Sequence, residues 1–296
     1  MAPASPAPRI KLLVLDVDGT VTNSRHEVTD ATCRAIARVR AAGVRVMLAT
    51  GRRYRDSLPI AERLGIVEPL VTASGALVKR PSDHATLSRA VFAAGVLPGV
   101  VDLLVARGHE PVIYTDSFAA GFDFHCRSLA AAELGGGGFR EYLARNQAVA
   151  HVDPDLERAP PPEAFAGFAM GPQEPMQALE AELMARFPAH LSVHTIRSPR
   201  YREWLCEIAP AGVTKWTGVT AMATAWGIGA QEICAVGDDV NDLPMVRAAG
   251  LGLAMGNGRP ELQAVADQVV GLHDGSGMED VAELVLARAA QPAGPA

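Results

Sequence analysis

The 296 residues, with a hydrophobic fraction of 49% and a net charge of −6, describe a folded chain of about two domains with enough apolar content to fill both cores. The balance lacks the basic footprint of a nucleic-acid binder, and the longest uncharged run, residues 216–231, is too short and too polar to cross a membrane. Four cysteines without a CxxC pair suggest neither a zinc site nor a disulfide framework, so a reducing cytoplasm is the expected compartment. The ends, MAPASPAPR and QPAGPA, read as frayed tails and not as targeting segments.

In chain order, an apolar run over residues 10–17 ends in acidic residues and Gly19, as a buried strand of a parallel sheet does. A helix over 30–42 closed by Gly43, a strand over 44–49, a helix over 53–64 ended by Gly65 and a strand over 70–73 follow. The same alternation returns near the other end, with helices at 214–226, 242–249, 261–266 and 278–290 and strands at 233–236, 251–254 and 268–270. The expected fold is therefore α/β, a doubly wound, mostly parallel, Rossmann-like sheet built from both ends of the chain. Between them the pattern changes to short apolar strands such as 111–114, a helix at 176–187 and loop clusters at 135–138 and 160–162. Residues 1–81 and 211–296 are expected to form the core and 82–210 an inserted α+β domain. Gly135 to Gly138 lacks the GK[ST] of a phosphate loop and reads as a mobile turn.

Four stretches carry chemistry. Asp16-Val17-Asp18-Gly19-Thr20 ends the first strand, where ligands bind in open α/β sheets. Carboxylates two positions apart share one face of an extended chain, so one can serve as nucleophile and the other as acid and base. The four fixed positions of this pattern are expected by chance only about 0.002 times in a chain of this length. Thr50-Gly51-Arg52 follows the neighbouring strand and, with a hydroxyl and backbone N–H groups before a helix, suits an anion. Lys215 opens a helix, the unfavourable end of the dipole for a cation unless an anion is bound beside it. Only three of the 27 basic residues, Lys11, Lys79 and Lys215, are lysines, and a compact ammonium fits phosphate as a point charge. Gly237-Asp238-Asp239-Val240-Asn241-Asp242 gathers acidic groups past another strand and suits Mg²⁺, a hard cation taking few carboxylates.

Taken in order, DVDGT, TGR, the lysine and GDDVND resemble the four motifs of the haloacid dehalogenase superfamily. SGALV at residues 74–78, EIAPAGVTK at 207–215 and LAMGNG at 253–258 look like its Cof-type (class IIB) phosphatase branch. The resemblance implies that Asp16 is the nucleophile forming an aspartyl-phosphate and Asp18 the general acid, then base. It also implies that Thr50, Gly51, Lys215 and Asn241 hold the phosphoryl group. Mg²⁺ would be bound by Asp16, by Asp18 through its carbonyl and by Asp238, with Asp242 completing the site. The implied function is hydrolysis of a small-molecule phosphate ester, with no nucleic-acid or membrane partner and no oligomeric state assigned. The alternatives are a phosphotransferase or phosphomutase using the same intermediate, or a non-catalytic ligand-binding relative.

Two positions depart from the branch: Ser74 stands where Asn is usual and Trp216 where Gly follows the motif lysine, so Trp216 is expected to reshape the pocket beside Lys215. The 162 residues between Arg52 and Lys215 resemble a cap inserted after the third strand, a domain that closes over the sheet and selects the leaving group. Within it His125, Arg127, His194, Arg197, Arg200 and Arg202 are candidates to meet substrate. Trp204, Trp216 and Trp226 read as packing residues.

Overall fold

The computed structural model describes residues 9–130, 137–198 and 200–290. Most of the two expected tails, and Gly135 and Gly136 of the expected mobile turn, lie outside the described residues. The first part of the chain forms strands β1 (Leu12–Leu15), β2 (Arg45–Leu48), β3 (Leu70–Thr72), β4 (Leu77–Lys79) and β5 (Thr86–Arg89). The middle forms β6 (Val112–Tyr114), β7 (Phe124–Cys126), β8 (Ala150–Val152), β9 (Ala166–Gly171), β10 (Leu191–Arg197) and β11 (Trp204–Pro210). The last part forms β12 (Ile233–Gly237), β13 (Leu251–Ala254) and β14 (Gln268–Val269). Two compact units result, one from residues up to Ser88 and from Thr214 onward, the other Arg89–Val213.

The first unit is built on a parallel sheet of order β14-β13-β12-β1-β2. All four residues of β1 are buried, which a strand needs when helices cover both faces. Leu12 and Val14 join a cluster with Val219 and Ala223 of the helix Lys215–Ala225 and with Met245 and Val246 of the helix Leu243–Ala248. Alternation sends Leu13 and Leu15 to the opposite face. The helix Asp30–Ala41 starts where Thr29 accepts a hydrogen bond from the Thr32 N–H, and the helix Tyr54–Leu64 stops at Gly65 in the left-handed conformation.

β3 departs from the expected third parallel strand. It touches β2 through one bridge, Ala49 to Val71, and the Thr50 N–H donates to the Val71 carbonyl at 2.9 Å. A turn with Ala73, Ser74 and Gly75 at φ 48°, 54° and 105° then folds the chain back, and β3-β4-β5 form a sheet of their own. β5 therefore belongs to the first unit up to Ser88, and the second begins later than residue 82.

The second unit carries a mixed sheet of order β10-β11-β9-β6-β7-β8, antiparallel except for the β7–β8 pair. Its strands alternate between two apolar clusters. Val112, Phe124, Phe168 and Met170 pack on one face with Phe139, Tyr142 and Leu143 of the helix Gly137–Asn146. Ile113, Ala169, Val193 and Ile208 pack on the other with the helices Val96–Ala106 and Gln173–Arg186. Gly137 and Gly138 are thus the first turn of a helix and not part of a mobile turn. A Cβ at Gly138 would come within 2.8 Å of Glu203, so the helix approaches that residue closely. Among the described residues no helix is long and apolar enough to cross a membrane.

Candidate active site

Strand register decides which motif residues meet. Leu15 is level with Leu48 on one side and Val236 on the other, so the chain leaves all three central strands at one edge of the sheet. The Asp16 N–H donates to the Val236 carbonyl at 3.0 Å and the Ala49 N–H to the Leu15 carbonyl at 2.9 Å, which extends the ladder to the acidic residues. Asp16, Thr50 and Asp238 therefore stand at the carboxyl ends of adjacent parallel strands, the ligand-binding position of open α/β sheets.

Lys215 arrives from the other side. Thr214 and Thr217 form a reciprocal cap: the Thr214 hydroxyl accepts the Thr217 N–H at 3.2 Å, and the Thr217 hydroxyl accepts the Thr214 N–H at 3.0 Å. Helix geometry directs the first side chain back past the terminus, and Lys215, 2% exposed, donates to Asp16 Oδ1 and Asp242 Oδ1, both at 2.6 Å. A third, longer bond reaches Asn241 Oδ1 at 3.3 Å. Asp242 is fixed from behind, because its Oδ2 accepts the N–H groups of Asp238 and Asp239 at 3.0 and 3.1 Å.

Three carboxylates, of Asp16, Asp238 and Asp242, offer oxygens within 4.8 Å of one another. Burial, then the charge of neighbouring carboxylates, pushes Asp16 up to about 7 and Asp238 up to about 9, with Lys215 working against the rise. Burial alone would lower Lys215, but Asp16 and Asp242 outweigh it and hold the ammonium charged. One ammonium against three carboxylates leaves the cluster short of positive charge, and an all-oxygen set of this kind fits a hard divalent cation.

Asp18 points elsewhere. Its carboxylate receives two parallel bonds from Arg52, Nε to Oδ2 at 2.7 Å and Nη2 to Oδ1 at 2.6 Å, and His26 Nδ1 lies 3.5 Å from Oδ1. Asp18 is therefore outside the three-carboxylate group. Arg52 is the partner that sequence reasoning missed. It stood in the TGR motif, but only the fold reveals that it faces the second aspartate. Thr50 is buried, and its hydroxyl accepts the Arg52 N–H at 3.1 Å across a turn at Gly51.

Close approach of backbones holds these loops. Gly19 has φ 78°, and a Cβ there would lie 2.3 Å from Asp238 Oδ2. At Gly75 a Cβ would lie 2.0 Å from the Thr214 carbonyl oxygen, so the β3–β4 turn braces the start of the lysine helix. The same turn is tied to the TGR loop by the Ala73 N–H to the Arg52 carbonyl at 2.9 Å and the Ser74 N–H to the Thr50 carbonyl at 3.0 Å. Ser74 has the left-handed backbone that asparagine adopts more readily than serine, which gives the departure at this position a conformational meaning. Asn257 of LAMGNG supports the first loop, its Nδ2 donating to the Gly19 carbonyl at 2.8 Å.

Trp216 is half-buried and packs against the apolar cluster of the sheet, as does Trp226, in keeping with the packing role expected of both. Trp204 packs in the second unit. Lys11 pairs with Glu232, and Lys79, given no role from sequence, is buried and donates to the Thr86 hydroxyl at 2.9 Å. Of the candidates in the second unit, Arg127 is committed to Glu110 at 3.0 Å and Glu157 at 3.3 Å. His194, Arg197 and Arg202 are exposed, Arg200 is half-buried and His125 is buried.

The model of the haloacid dehalogenase-like hydrolase family matches residues 13–281. Bacillus subtilis (strain 168) supplies two similar proteins: stress response protein YhaX, 27% identical over 90% of this chain and 90% of its own, and phosphatase YwpJ, 26% identical over 94% and 100%. The HMP-PP phosphatase of Serratia proteamaculans (strain 568) is 26% identical over 88% of both chains. Among solved structures, a haloacid dehalogenase-like hydrolase from Bacteroides thetaiotaomicron superposes with a TM-score of 0.77 at 22% identity, covering 94% of this chain and 100% of its own. The chain belongs to the haloacid dehalogenase-like hydrolases, in their Cof-type phosphatase branch.

Proposed function

We propose that this phosphatase of small phosphorylated metabolites is Mg²⁺-dependent and works through a phosphoryl group carried on Asp16. The observation that carries the reading is the buried Lys215 ammonium, bonded at 2.6 Å to both Asp16 and Asp242. It leaves one carboxylate aimed, neutralised and shielded from water at the sheet edge. The names of the curated relatives, a phosphatase and an HMP-PP phosphatase, support phosphate-ester hydrolysis and a small substrate.

Asp16, Asp238 and the Asp18 main-chain carbonyl would hold Mg²⁺, with Asp242 completing the site. When bound, the ion supplies the positive charge that a dianionic phosphate needs beside these carboxylates. An Asp16 oxygen attacks phosphorus, the bond from phosphorus to the leaving oxygen breaks, and Asp18 gives that oxygen a proton. Water then attacks the aspartyl-phosphate, Asp18 takes the proton, and inorganic phosphate departs with Asp16 restored. Thr50, Gly51, Lys215 and Asn241 hold the phosphoryl oxygens, and because the two bonds from Arg52 favour ionised Asp18, that pair must open for Asp18 to carry the proton it gives to the leaving oxygen. The second unit, Arg89–Val213, selects the leaving group as a cap.

The test is phosphate release from a panel of metabolite esters with Mg²⁺ and no added acceptor, together with trapping of the acylphosphate. Multiple turnovers and a phosphorylated Asp16 are expected. Full activity after exhaustive chelation, or a label on Asp18 instead, would sink the reading.

A further inference from the structure

The loops that follow β1 and β12 carry the clustered carboxylates of Asp16, Asp238 and Asp242, and repulsion between them drives the two loops apart. Lys215 offsets part of this by bonding Asp16 and Asp242. The bond that reaches Asp238 from the first loop, from the Thr20 hydroxyl to Oδ1, is long at 3.3 Å. The spacing of these loops therefore depends on what braces them from outside.

Residues 255–259, which follow β13, touch both. The Met255 N–H donates to the Gly237 carbonyl at 3.0 Å and the Arg259 N–H to the Asp238 carbonyl at 2.8 Å, so the main chain of the second loop is tied to this segment twice. Gly258 packs directly on it, since a Cβ there would lie 3.1 Å from the Asp238 carbonyl oxygen and 3.2 Å from its Cα. Between these anchors Asn257 turns to the first loop. Its Nδ2 donates to the Gly19 carbonyl at 2.8 Å while its Oδ1 accepts the His273 N–H at 2.9 Å. A carbonyl demands a donor and an N–H an acceptor, so both partners orient the amide the same way; aspartate would lack the donor and leucine both groups. Asn257 is itself exposed, so these bonds and not core packing are its contribution.

We infer, on the reading that Mg²⁺ joins these loops, that Asn257 is a positioning residue: it fixes the separation of the two acidic loops and so makes the site favour Mg²⁺ over Ca²⁺. The Gly19 carbonyl that it holds is one peptide beyond the Asp18 carbonyl, and Gly19 has φ 78°, so tethering one peptide restricts the other. Mg²⁺ demands a near-ideal octahedron of short bonds, whereas Ca²⁺ accepts longer bonds and variable geometry. Loops held close by a brace suit the first ion. Loops free to spread under the repulsion of their own carboxylates suit the second.

The full chain, stripped with chelator, is titrated with Mg²⁺ and separately with Ca²⁺ by calorimetry, and loss of binding in Asp238→Asn assigns the heat to this site. Asn257→Ala should weaken Mg²⁺ by the roughly 10–100-fold that loss of a group behind a metal ligand costs. Ca²⁺ should weaken by less, so the ratio of the two dissociation constants shifts toward Ca²⁺. The chelated variant should melt as the unaltered chain does, which sets positioning apart from a role in stability. Gly258→Ala, pressing on the Asp238 main chain from the same segment, should shift the ratio in the same direction. Asp274→Ala removes a 2.8 Å bond to the Ser24 N–H, farther along the first loop, and should leave both affinities unchanged. If the unaltered chain binds Mg²⁺ but Asn257→Ala keeps its ratio, or Asp274→Ala loses as much, the role of Asn257 is overturned while the Mg²⁺ reading stands. No Mg²⁺ binding by the unaltered chain would overturn both.

Discussion

The two units use buried polar chemistry in opposite ways. In the first, Lys215 bonds two carboxylates in the interior, and every contact arises where parallel strands end together. In the second, apolar side chains occupy both faces of a mostly antiparallel sheet, and arginine ion pairs such as Arg127 with Glu110 lie nearer the surface. A parallel sheet collects loops at one edge and can converge charges from distant parts of the chain. An alternating antiparallel sheet distributes its polar groups along its strands. The first arrangement is costly to assemble and sensitive to every member, whereas the second tolerates change.

The largest effects are therefore expected in the first unit. Asp16→Asn should abolish turnover and the trapped acylphosphate, measured by phosphate release and radiolabel. Lys215→Met should lower kcat/KM by at least the roughly 10²–10³-fold typical of losing one electrostatic donor. It should also cost stability, because Asp16 and Asp242 lose the charge between them; breaking a buried pair costs about 3–5 kcal/mol. A Lys215→Met enzyme with near-normal activity would make the lysine a structural residue only. Asp18→Asn should slow both formation and hydrolysis of the acylphosphate by about 10²–10⁴-fold while leaving the trapped label on Asp16.

A smaller effect separates bracing from chemistry. Gly75→Ala must place a Cβ against the Thr214 carbonyl oxygen in a left-handed backbone, and strain of this kind costs of order 1–3 kcal/mol. The lysine helix should shift with it, so kcat should fall more than KM rises. A matching change at Gly43, which also has positive φ but open space around it, should cost less in a denaturant melt and spare kcat. Equal losses at both would mean that the turn does not position Lys215.

Without metal, the same cluster should make stability depend on pH. Asp16 and Asp238 hold protons in the folded chain up to about 7 and about 9, whereas an unfolded aspartate releases its proton near 3.8. Between those limits the folded state binds more protons than the unfolded state, so stability falls as pH rises from about 4 to about 9. Mg²⁺ should raise Tm, and by more at pH 8 than at pH 5. A Tm of the chelated protein that climbs over this range would contradict the buried-cluster account.

Sequence made the first unit legible because its signals are local: buried runs such as Leu12–Leu15, and motifs at strand ends, where the sheet brings Asp16, Asp238, Asp242 and Lys215 together. It did not reveal the Arg52 to Asp18 pairing, because no local pattern encodes which carboxylate a motif arginine will face. β4 and β5 were also illegible. They are short, and β5 (TLSR) is exposed throughout, so hydrophobic alternation has nothing to mark. In the second unit β6 was legible as the apolar run 111–114, whereas three-residue strands such as β7 and β8 leave too few positions for a period to emerge, and the glycine run hid the start of a helix.

The smallest expected effects distinguish the candidate residues of the second unit from one another. His194 and Arg197 project from β10 and are exposed, and Arg202 is exposed in the following loop. Alanine at these three should leave stability within about 0.5 kcal/mol, as surface substitutions do. Arg127→Ala should instead cost about 1–3 kcal/mol, since Glu110, 7% exposed, would lose the guanidinium charge and keep only the hydrogen bond from the residue 127 N–H. If this unit selects the leaving group, at least one of the three surface variants should reorder kcat/KM among natural esters, because selection acts through contacts in the transition state. Turnover of para-nitrophenyl phosphate should stay within about tenfold, since its ring asks little of polar contacts. Arg127→Ala should lower the melting temperature without reordering substrates. A reversed outcome, with Arg127 governing the ranking and the exposed three governing stability, would show that burial and ion pairing do not sort these residues by role.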